Sequence, residues 1–204
     1  MDSLAETTKL VVGLGNPGRR YARTRHNVGW MVLAEVRRRW GLADEGRKAF
    51  GGEVYDARRA GPDGESRRVM LFEPHTYMNR SGEAVAGLVT FYKADCRDLL
   101  IVMDDMDLPV GVLRARARGS AGGHKGLDDV LRLLGTQDVP RLRLGIGSPP
   151  SPMDAIDFVL GVFDDAELAL IAPAVTQAAD AVDDWIAWGI QAVMDKYNRK
   201  VEPD

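Results

Sequence analysis

The stretch LVVGLGNPGRRYARTRHNVGW, residues 10–30, decides the fold that we predict for this chain. It begins as an apolar run typical of a buried strand and breaks at a glycine-rich turn over 13–18. A polar, basic loop then leads to His26 and Asn27, after which apolar residues recur at helical spacing. An imidazole and amides therefore lie at the end of a buried strand, where open α/β sheets bind ligands. We predict an active-site loop here.

Strands and helices are expected to alternate along the rest of the chain. Strands are predicted at 8–14, 47–58, 67–73, 98–103, 111–118 and 141–147. Helices are predicted at 28–40, 81–93 and 124–134, followed by a last amphipathic helix that Pro173 starts or kinks. This order indicates a single α/β domain over 1–204, with a mixed, mostly parallel twisted sheet flanked by helices. The ends, 1–8 and 199–204, are expected to be flexible.

Composition narrows the class of protein. The chain has 204 residues, of which 45% are hydrophobic, enough for one globular domain with a sizeable core. Its one cysteine, Cys96, cannot form an internal disulfide or a zinc site alone. A membrane span would need about eighteen consecutive apolar residues, and the sequence has no such run. The first residues lack the basic-then-apolar order of a secretion signal, so a cytoplasmic protein is expected.

Charge is distributed unevenly along the chain. The net charge is −3, but residues 1–150 hold 24 Lys and Arg against 19 Asp and Glu, whereas residues 151–204 hold 3 against 11. A basic face on the first part could hold a polyanion. An ordinary mixed surface with an acidic final helix explains the same numbers.

The turn at 13–18 matches the G-x-G-x-x-G pattern of dinucleotide-binding proteins only weakly. That pattern requires a helix that opens at its third glycine and holds the pyrophosphate at its N-terminus. Here residues 19–25 carry no apolar stripe, and no strand ending in an acid follows about twenty residues later. A nicotinamide or flavin enzyme is therefore the weaker reading of this turn.

His26 and Asp104 are the candidates for acid–base chemistry. Asp104 ends a buried strand, where a carboxylate is costly unless it has a partner. A carboxylate can fix the tautomer of an imidazole while the other ring nitrogen takes a proton from water. Alternatively, Asp104, Asp105 and Asp107 form a solvated turn or a magnesium site, since clustered carboxylates suit hard cations. Asn79, just before a predicted helix, could donate to a carbonyl oxygen or close a turn.

Taken together, the motifs closely resemble the bacterial peptidyl-tRNA hydrolase family. The matching segments, in order, are GLGNPG, RHNVGW, TYMNRSGEAV, DDMDLPVG, GSAGGHKGL, RLRLGIG and FVLG, between about residues 9 and 195. The resemblance implies a monomeric α/β domain that hydrolyses the ester between a peptide and the 3′-terminal ribose of tRNA. It also implies that the partner is peptidyl-tRNA and that no metal, cofactor or covalent intermediate is needed.

The resemblance also assigns roles near the reaction centre. His26 corresponds to the family's general base, and Asp104 corresponds to the carboxylate that orients it. Asn16 and Asn79 match the asparagines that hold the peptide part of the substrate and the reaction centre. An amide of this kind would donate to the developing oxyanion.

Further positions are implied to bind the substrate. Tyr21 matches an aromatic residue of the N-terminal loop, and Met78 matches a pocket wall. Lys125 stands where the family usually has asparagine, so a donor is kept and a carbonyl acceptor is lost. The basic residues expected to hold tRNA phosphates are Arg114, Arg116, Arg118 and Arg143, together with Lys125.

A flap and an alternative function are also expected from the sequence. Residues 147–160 are predicted to form a flap over the cleft, although Pro149, Pro150 and Pro152 favour a stiff segment there. The alternative function is that of an RNA-binding factor on the same fold without hydrolysis. Binding alone does not require His26 and Asp104, so the enzyme is the preferred reading.

Overall fold

A seven-stranded sheet runs through the centre of the structure, a computed structural model that describes residues 8–198. The strands are β1 (Lys9–Gly13), β2 (Arg47–Ala49), β3 (Gly52–Ala60), β4 (Ser66–Pro74), β5 (Leu99–Asp105), β6 (Leu113–Arg116) and β7 (Arg141–Gly145). The helices are α1 (Val28–Trp40), α2 (Ser81–Tyr92), α3 (Lys125–Leu134), α4 (Ala155–Leu160) and α5 (Asp165–Tyr197). Apart from residue 8, the ends predicted to be flexible lie outside the described residues.

The strand order across the sheet is β2-β3-β4-β1-β5-β7-β6. The four strands β4, β1, β5 and β7 are mutually parallel, while β3 and β6 run antiparallel to their neighbours. Because β2 is antiparallel to β3, it runs in the direction of the parallel strands. The predicted α/β fold, with a mixed sheet flanked by helices, is confirmed.

Helices cover both faces of the sheet. Helices α1 and α5 pack on one face with side chains such as Val11, and α2 and α3 pack on the other with Leu10 and Val12. After Lys9, strand β1 is apolar at every position because both of its faces are buried. Within residues 8–198, none of the helices combines the length and the apolar character that a membrane crossing requires.

Two glycines allow α1 to approach the sheet closely. A Cβ atom on Gly13 would lie 2.5 Å from the carbonyl oxygen of Gly29, and one on Gly29 would lie 2.5 Å from that of Val102. Neither contact is compatible with a side chain. The close approach brings the residues just before α1, including His26, to the carboxyl end of β5, where Asp104 lies.

Three predicted elements differ from the structure. The strand predicted at 47–58 is two strands, because Phe50 and Gly51 form a turn with φ of 53° and 72°. The strand predicted at 111–118 is only the four residues of β6. Pro173 does not start the last helix: it lies inside α5, and the helix is kinked at Gly189, where the backbone is not helical. The helix starts earlier because Asp164 and Glu167 form a capping box.

Candidate active site

An open cleft of about 360 Å³ lies at the carboxyl ends of β1, β5 and β7. The loops that follow the parallel strands meet at this edge of the sheet, which is where open α/β sheets bind ligands. Among the sequence-predicted site residues, those that line the cleft are Asn16, His26, Met78, Asn79, Asp104, Lys125 and Arg143.

His26 and Asp104 form a hydrogen-bonded pair at the base of the cleft. The Nδ1 atom of His26 lies 2.8 Å from Oδ1 of Asp104, and the two side chains are 12% and 2% exposed. Burial by itself raises the pKa of the Asp104 carboxyl, but charge interactions and hydrogen bonds with His26 and His124 outweigh it. The net effect holds that pKa well below its usual value, so Asp104 is ionised at neutral pH.

His124 is a second histidine on the same carboxylate. Its Nε2 atom lies 2.9 Å from Oδ1 of Asp104, and its Nδ1 atom accepts a hydrogen bond from the backbone N–H of Leu127 at 3.2 Å. Since Nδ1 is an acceptor, the proton of the neutral ring lies on Nε2 and is donated to Asp104. This role of His124 was not predicted from the sequence, which placed the residue inside the helix expected at 124–134, whereas in the structure it is the N-cap of α3.

The tautomer of His26 is likewise fixed by its hydrogen bond to Asp104. With Nδ1–H donating to the ionised Asp104, the lone pair of the neutral ring lies on Nε2. Within residues 8–198, no protein group hydrogen-bonds to Nε2 of His26, and the side chain lines the cleft. This nitrogen is therefore free to accept a proton from a water molecule.

The Asn16 amide is held in one orientation. Its Oδ1 atom accepts a hydrogen bond from the backbone N–H of Met78 at 2.8 Å, so the NH₂ group remains to donate into the cleft. The backbone of Asn16 is bound by the fully buried side chain of Asn27, which accepts from its N–H and donates to its carbonyl oxygen, both at 2.9 Å. Asn27 was not predicted as a site residue.

The remaining predicted substrate-binding residues are placed unevenly. Met78 is buried and packs against Gly126, where a Cβ atom would lie 2.4 Å from its Sδ. Asn79 and Lys125 are exposed on the cleft wall. Tyr21 does not line the cleft; it lies in the turns before α1, with the Arg20 guanidinium 4.4 Å from its ring centre.

A smaller basic pocket, of about 240 Å³, adjoins the cleft. Its cationic side chains are those of Arg116, Arg118, Arg141 and Arg143, and the loop at 119–122 completes its wall. Arg143 lines both the pocket and the cleft, which connects the two. Arg114 is half-buried on β6 and lines neither cavity.

Two of the pocket arginines are fixed by buried contacts. Arg143 forms a short ion pair through Nε with the buried carboxylate of Asp105. Arg141 is buried and donates from Nη1 to the carbonyl oxygen of Gly119 at 2.8 Å, which holds the loop over the sheet. Burial and the neighbouring Arg143 lower the pKa of Arg141 to about 10. Arg141 was not among the residues predicted from the sequence to bind tRNA.

The segment predicted as a flap, 147–160, contains helix α4. Ile156, Val159 and Leu160 from this helix form an apolar wall of the cleft. Arg25, next to His26, fixes the end of α4: its guanidinium lies 4.5 Å from the Phe158 ring centre, and it pairs with Glu167 at 2.6 Å.

The alternative readings of the sequence fit this geometry less well. No helix begins at Gly18, because α1 starts only at Val28, so a pyrophosphate would find no helix N-terminus there. The aspartates near the end of β5 do not face one common site. Asp105 pairs with Arg143, and the exposed Asp107 donates its backbone N–H to the Asp105 side chain. Asp104 instead groups with His26 and His124, a set that could ligate a metal but not the oxygen cage that magnesium prefers.

The fold and the cleft define a class: an α/β protein in which an oriented His–Asp pair can activate water beside amide donors, as in a hydrolase. Comparison with known proteins specifies the class further. The family model for peptidyl-tRNA hydrolase matches residues 10–204. The chain belongs to the peptidyl-tRNA hydrolase family.

Individual relatives agree along almost the whole chain. A peptidyl-tRNA hydrolase of Desulforamulus reducens is 47% identical over 94% of this chain and 89% of its own length. One of Symbiobacterium thermophilum is 48% identical over 93% and 98%. The crystal structure of the peptidyl-tRNA hydrolase from Acinetobacter baumannii superposes with a TM-score of 0.83 at 33% identity, covering 96% and 97% of the two chains.

Proposed function

We propose that this member of the peptidyl-tRNA hydrolase family cleaves the ester between a peptide and the 3′-terminal ribose of tRNA with His26 as the general base. The observation that carries the proposal is the 2.8 Å contact between Nδ1 of His26 and Oδ1 of Asp104, which leaves Nε2 of His26 open to the cleft. An ester needs only an activated water and a stabilised oxyanion to hydrolyse.

The proton moves through His26. Its Nε2 atom takes a proton from water as the water oxygen attacks the ester carbonyl carbon, and the ionised Asp104 stabilises the resulting imidazolium. When the tetrahedral intermediate collapses, the ester C–O bond breaks and the imidazolium returns the proton to the leaving ribose oxygen. The products are a peptide with a free carboxylate and a tRNA with a free 3′-terminal hydroxyl.

The amides of Asn16 and Asn79 stabilise the oxyanion and hold the peptide. The NH₂ group of Asn16 is oriented in advance because its carbonyl oxygen is engaged by Met78. A preorganised donor of this kind contributes on the order of 3 kcal/mol to transition-state stabilisation. The apolar wall of α4, together with Met78, accommodates peptide side chains.

The basic pocket binds the tRNA in this proposal. Arg116, Arg118 and Arg143 face a common cavity beside the cleft, so phosphates of the acceptor end would bind next to the reacting ester. Lys125 adds a positive charge on the cleft wall, whereas Arg114 and Tyr21 contact parts of the substrate outside the cleft. We further propose that the chain acts as one domain, as a monomer, in the cytoplasm.

The test is release of N-acetyl-aminoacyl groups from tRNA by the purified protein in the presence of a metal chelator. The wild-type protein should release them, and His26→Ala should lose at least about two orders of magnitude in kcat while binding uncharged tRNA normally. Unchanged hydrolysis by His26→Ala would remove His26 from the mechanism. Binding without hydrolysis by the wild type would favour the RNA-binding factor.

A further inference from the structure

A second cluster of ionisable side chains, none of which lines the cleft, lies at the end of the β3–β4 pair. Glu53 and Glu73 are directly opposed across the two strands, so their side chains lie on the same face. His75 follows two residues after Glu73 and returns to that face. Ligand atoms of Glu53, Glu73 and His75 all lie within 4.8 Å of one another.

Glu73 is the unusual member of the cluster. It is 5% exposed, and its Oε1 atom accepts no hydrogen bond from the described residues. The nearest cation is Nη2 of Arg37, at 3.4 Å, beyond ordinary hydrogen-bond length. A buried carboxylate facing a second carboxylate is costly without a stronger partner. Burial raises the pKa of Glu73 to about 7, with Glu53 contributing in the same direction and Arg37 opposing it.

Hydrogen bonds from the surrounding groups position the cluster but leave ligand atoms of its side chains without a hydrogen-bond partner among the described residues. Arg37 directs Nη1 to the hydroxyl of Tyr55 and to the carbonyl oxygen of Asp44. The Tyr55 hydroxyl lies 2.8 Å from Oε2 of Glu53 and can donate to it, and no hydrogen bond of the described residues engages Oε1 of Glu53. The backbone N–H of His75 is fixed to the Gly51 carbonyl oxygen at 2.9 Å, while its ring is exposed.

We propose that Glu53, Glu73 and His75 bind a divalent transition-metal ion of the Zn²⁺ type. Zn²⁺ and similar transition-metal ions such as Co²⁺ bind imidazole nitrogen and carboxylate oxygen together, and an open zinc site has three protein ligands, whereas Ca²⁺ and Mg²⁺ prefer oxygen ligands alone. The ion replaces the missing partner of Glu73 and removes the repulsion between the two carboxylates. A water molecule occupies the fourth position, because the exposed side of His75 leaves the site open.

The site has a built-in spectroscopic reporter. The His75 ring centre lies 5.2 Å from that of Trp30 in α1, close enough for a bound paramagnetic ion to quench its fluorescence. Trp30 also packs on the loop before Asn16, since a Cβ atom on Gly15 would lie 2.8 Å from its ring. An ion at His75 therefore restrains the support of the active-site loop, and its binding should raise the melting temperature.

The experiment uses chelator-treated full-length protein titrated with Co²⁺ and then with Zn²⁺ as competitor. We expect one Co²⁺ per chain, quenching of Trp30 fluorescence that Trp30→Phe abolishes, and a melting temperature raised by Zn²⁺. His75→Ala and Glu73→Gln should each weaken binding at least about tenfold. His75 is exposed, so its replacement does not disturb the core, and Glu53→Gln provides a third variant if Glu73→Gln fails to fold.

The control is His124→Gln, which alters the other histidine-containing cluster, at Asp104. It should leave Co²⁺ affinity unchanged. Three results would overturn the proposal: no Co²⁺ or Zn²⁺ binding by the wild type, equal binding by wild type and His75→Ala, or loss of binding in His124→Gln but not in His75→Ala. The last result would place the ion at the catalytic cluster instead.

Discussion

The imidazoles of His26 and His124, with ring centres 5.1 Å apart, donate to one and the same carboxylate oxygen. Only His26 has its second nitrogen free, because that of His124 is occupied by the start of α3. Oδ1 of Asp104 therefore accepts hydrogen bonds from two rings. The ring of His26 can take up a second proton, whereas the ring of His124 only donates. This difference makes His26 the base and His124 a positioning residue.

Removing the fixed donor should shift the pH dependence of the reaction. In His124→Ala, Asp104 loses one hydrogen bond, so the pKa of its carboxyl rises towards its ordinary value. A carboxylate with one donor fewer stabilises the imidazolium more strongly, so the acidic limb of the pH–kcat profile should move to higher pH. Asp104 is also held less firmly and orients His26 less well, so kcat should fall roughly tenfold. His124→Gln keeps an N–H near Nε2 and should recover most of the activity. A profile identical to that of wild type in His124→Ala would show that His124 has no such role.

The proposed tRNA-binding arginines should separate into two kinds. Arg116 is exposed, so Arg116→Ala should raise KM more than it lowers kcat, reduce the salt dependence of binding by about one charge, and leave stability unchanged. Arg143→Ala would also leave the buried carboxylate of Asp105 without its ion-pair partner and cost roughly 1–3 kcal/mol of unfolding free energy. Steady-state kinetics at several salt concentrations and urea denaturation would distinguish them. An Arg116→Ala defect confined to kcat would contradict phosphate binding.

Asn27→Ala should lower both the stability of the protein and its activity, because Asn27 holds the backbone of Asn16. It leaves the buried N–H and carbonyl oxygen of Asn16 without partners, which costs about 1–3 kcal/mol for each group. Displacement of Asn16 should also lower kcat, because its amide no longer faces the reaction centre. Thermal denaturation and single-turnover hydrolysis measure the two effects. Asn79→Ala, an exposed position, provides the comparison: it should lower activity without lowering stability.

Glu73 should make stability fall as pH rises. Burial raises the pKa of this carboxyl from its ordinary value of 4.5 to about 7 in the folded protein, so its stabilising contribution is complete below pH 4.5 and is lost as pH rises through 7. Glu73→Gln, measured in chelator, should therefore gain stability relative to wild type between pH 5 and pH 8, by about 3 kcal/mol at most. Urea denaturation at both pH values tests this. A constant difference would mean that Glu73 titrates normally.

Local sequence patterns predicted the elements that define the sheet and the helices. The apolar stripe of α1 ends at Gly41, whose left-handed conformation stops the helix, and the predicted bounds 28–40 match Val28–Trp40. Helix α4 was missed because six residues after a proline-rich loop carry too little periodicity. The start of α5 was missed although the capping pair Asp164 and Glu167 was visible in the sequence.

The site was harder to predict where tertiary contacts determine the position of a side chain. The approach of His26 to Asp104 was expected, because both follow parallel strands that open onto one edge. The contact of His124 with Asp104 depends on how the loop at 119–124 folds over the sheet. The local sequence pattern does not predict the path of that loop. Arg141, which donates to the same loop, is buried, whereas Arg143 is only partly buried, although a spacing of two residues places both side chains on one face of β7.

Arg25 joins two parts of the molecule that an enzymologist would treat separately. It is the immediate neighbour of His26, yet its guanidinium is held by Phe158 of α4 and by Glu167 of α5. An outward displacement of α4 would therefore displace Arg25 and, with it, the neighbouring His26. A small molecule wedged under that helix would inhibit turnover without occupying the reaction centre, and resistance to it would arise at Arg25 and Glu167 rather than among the polar residues of the cleft.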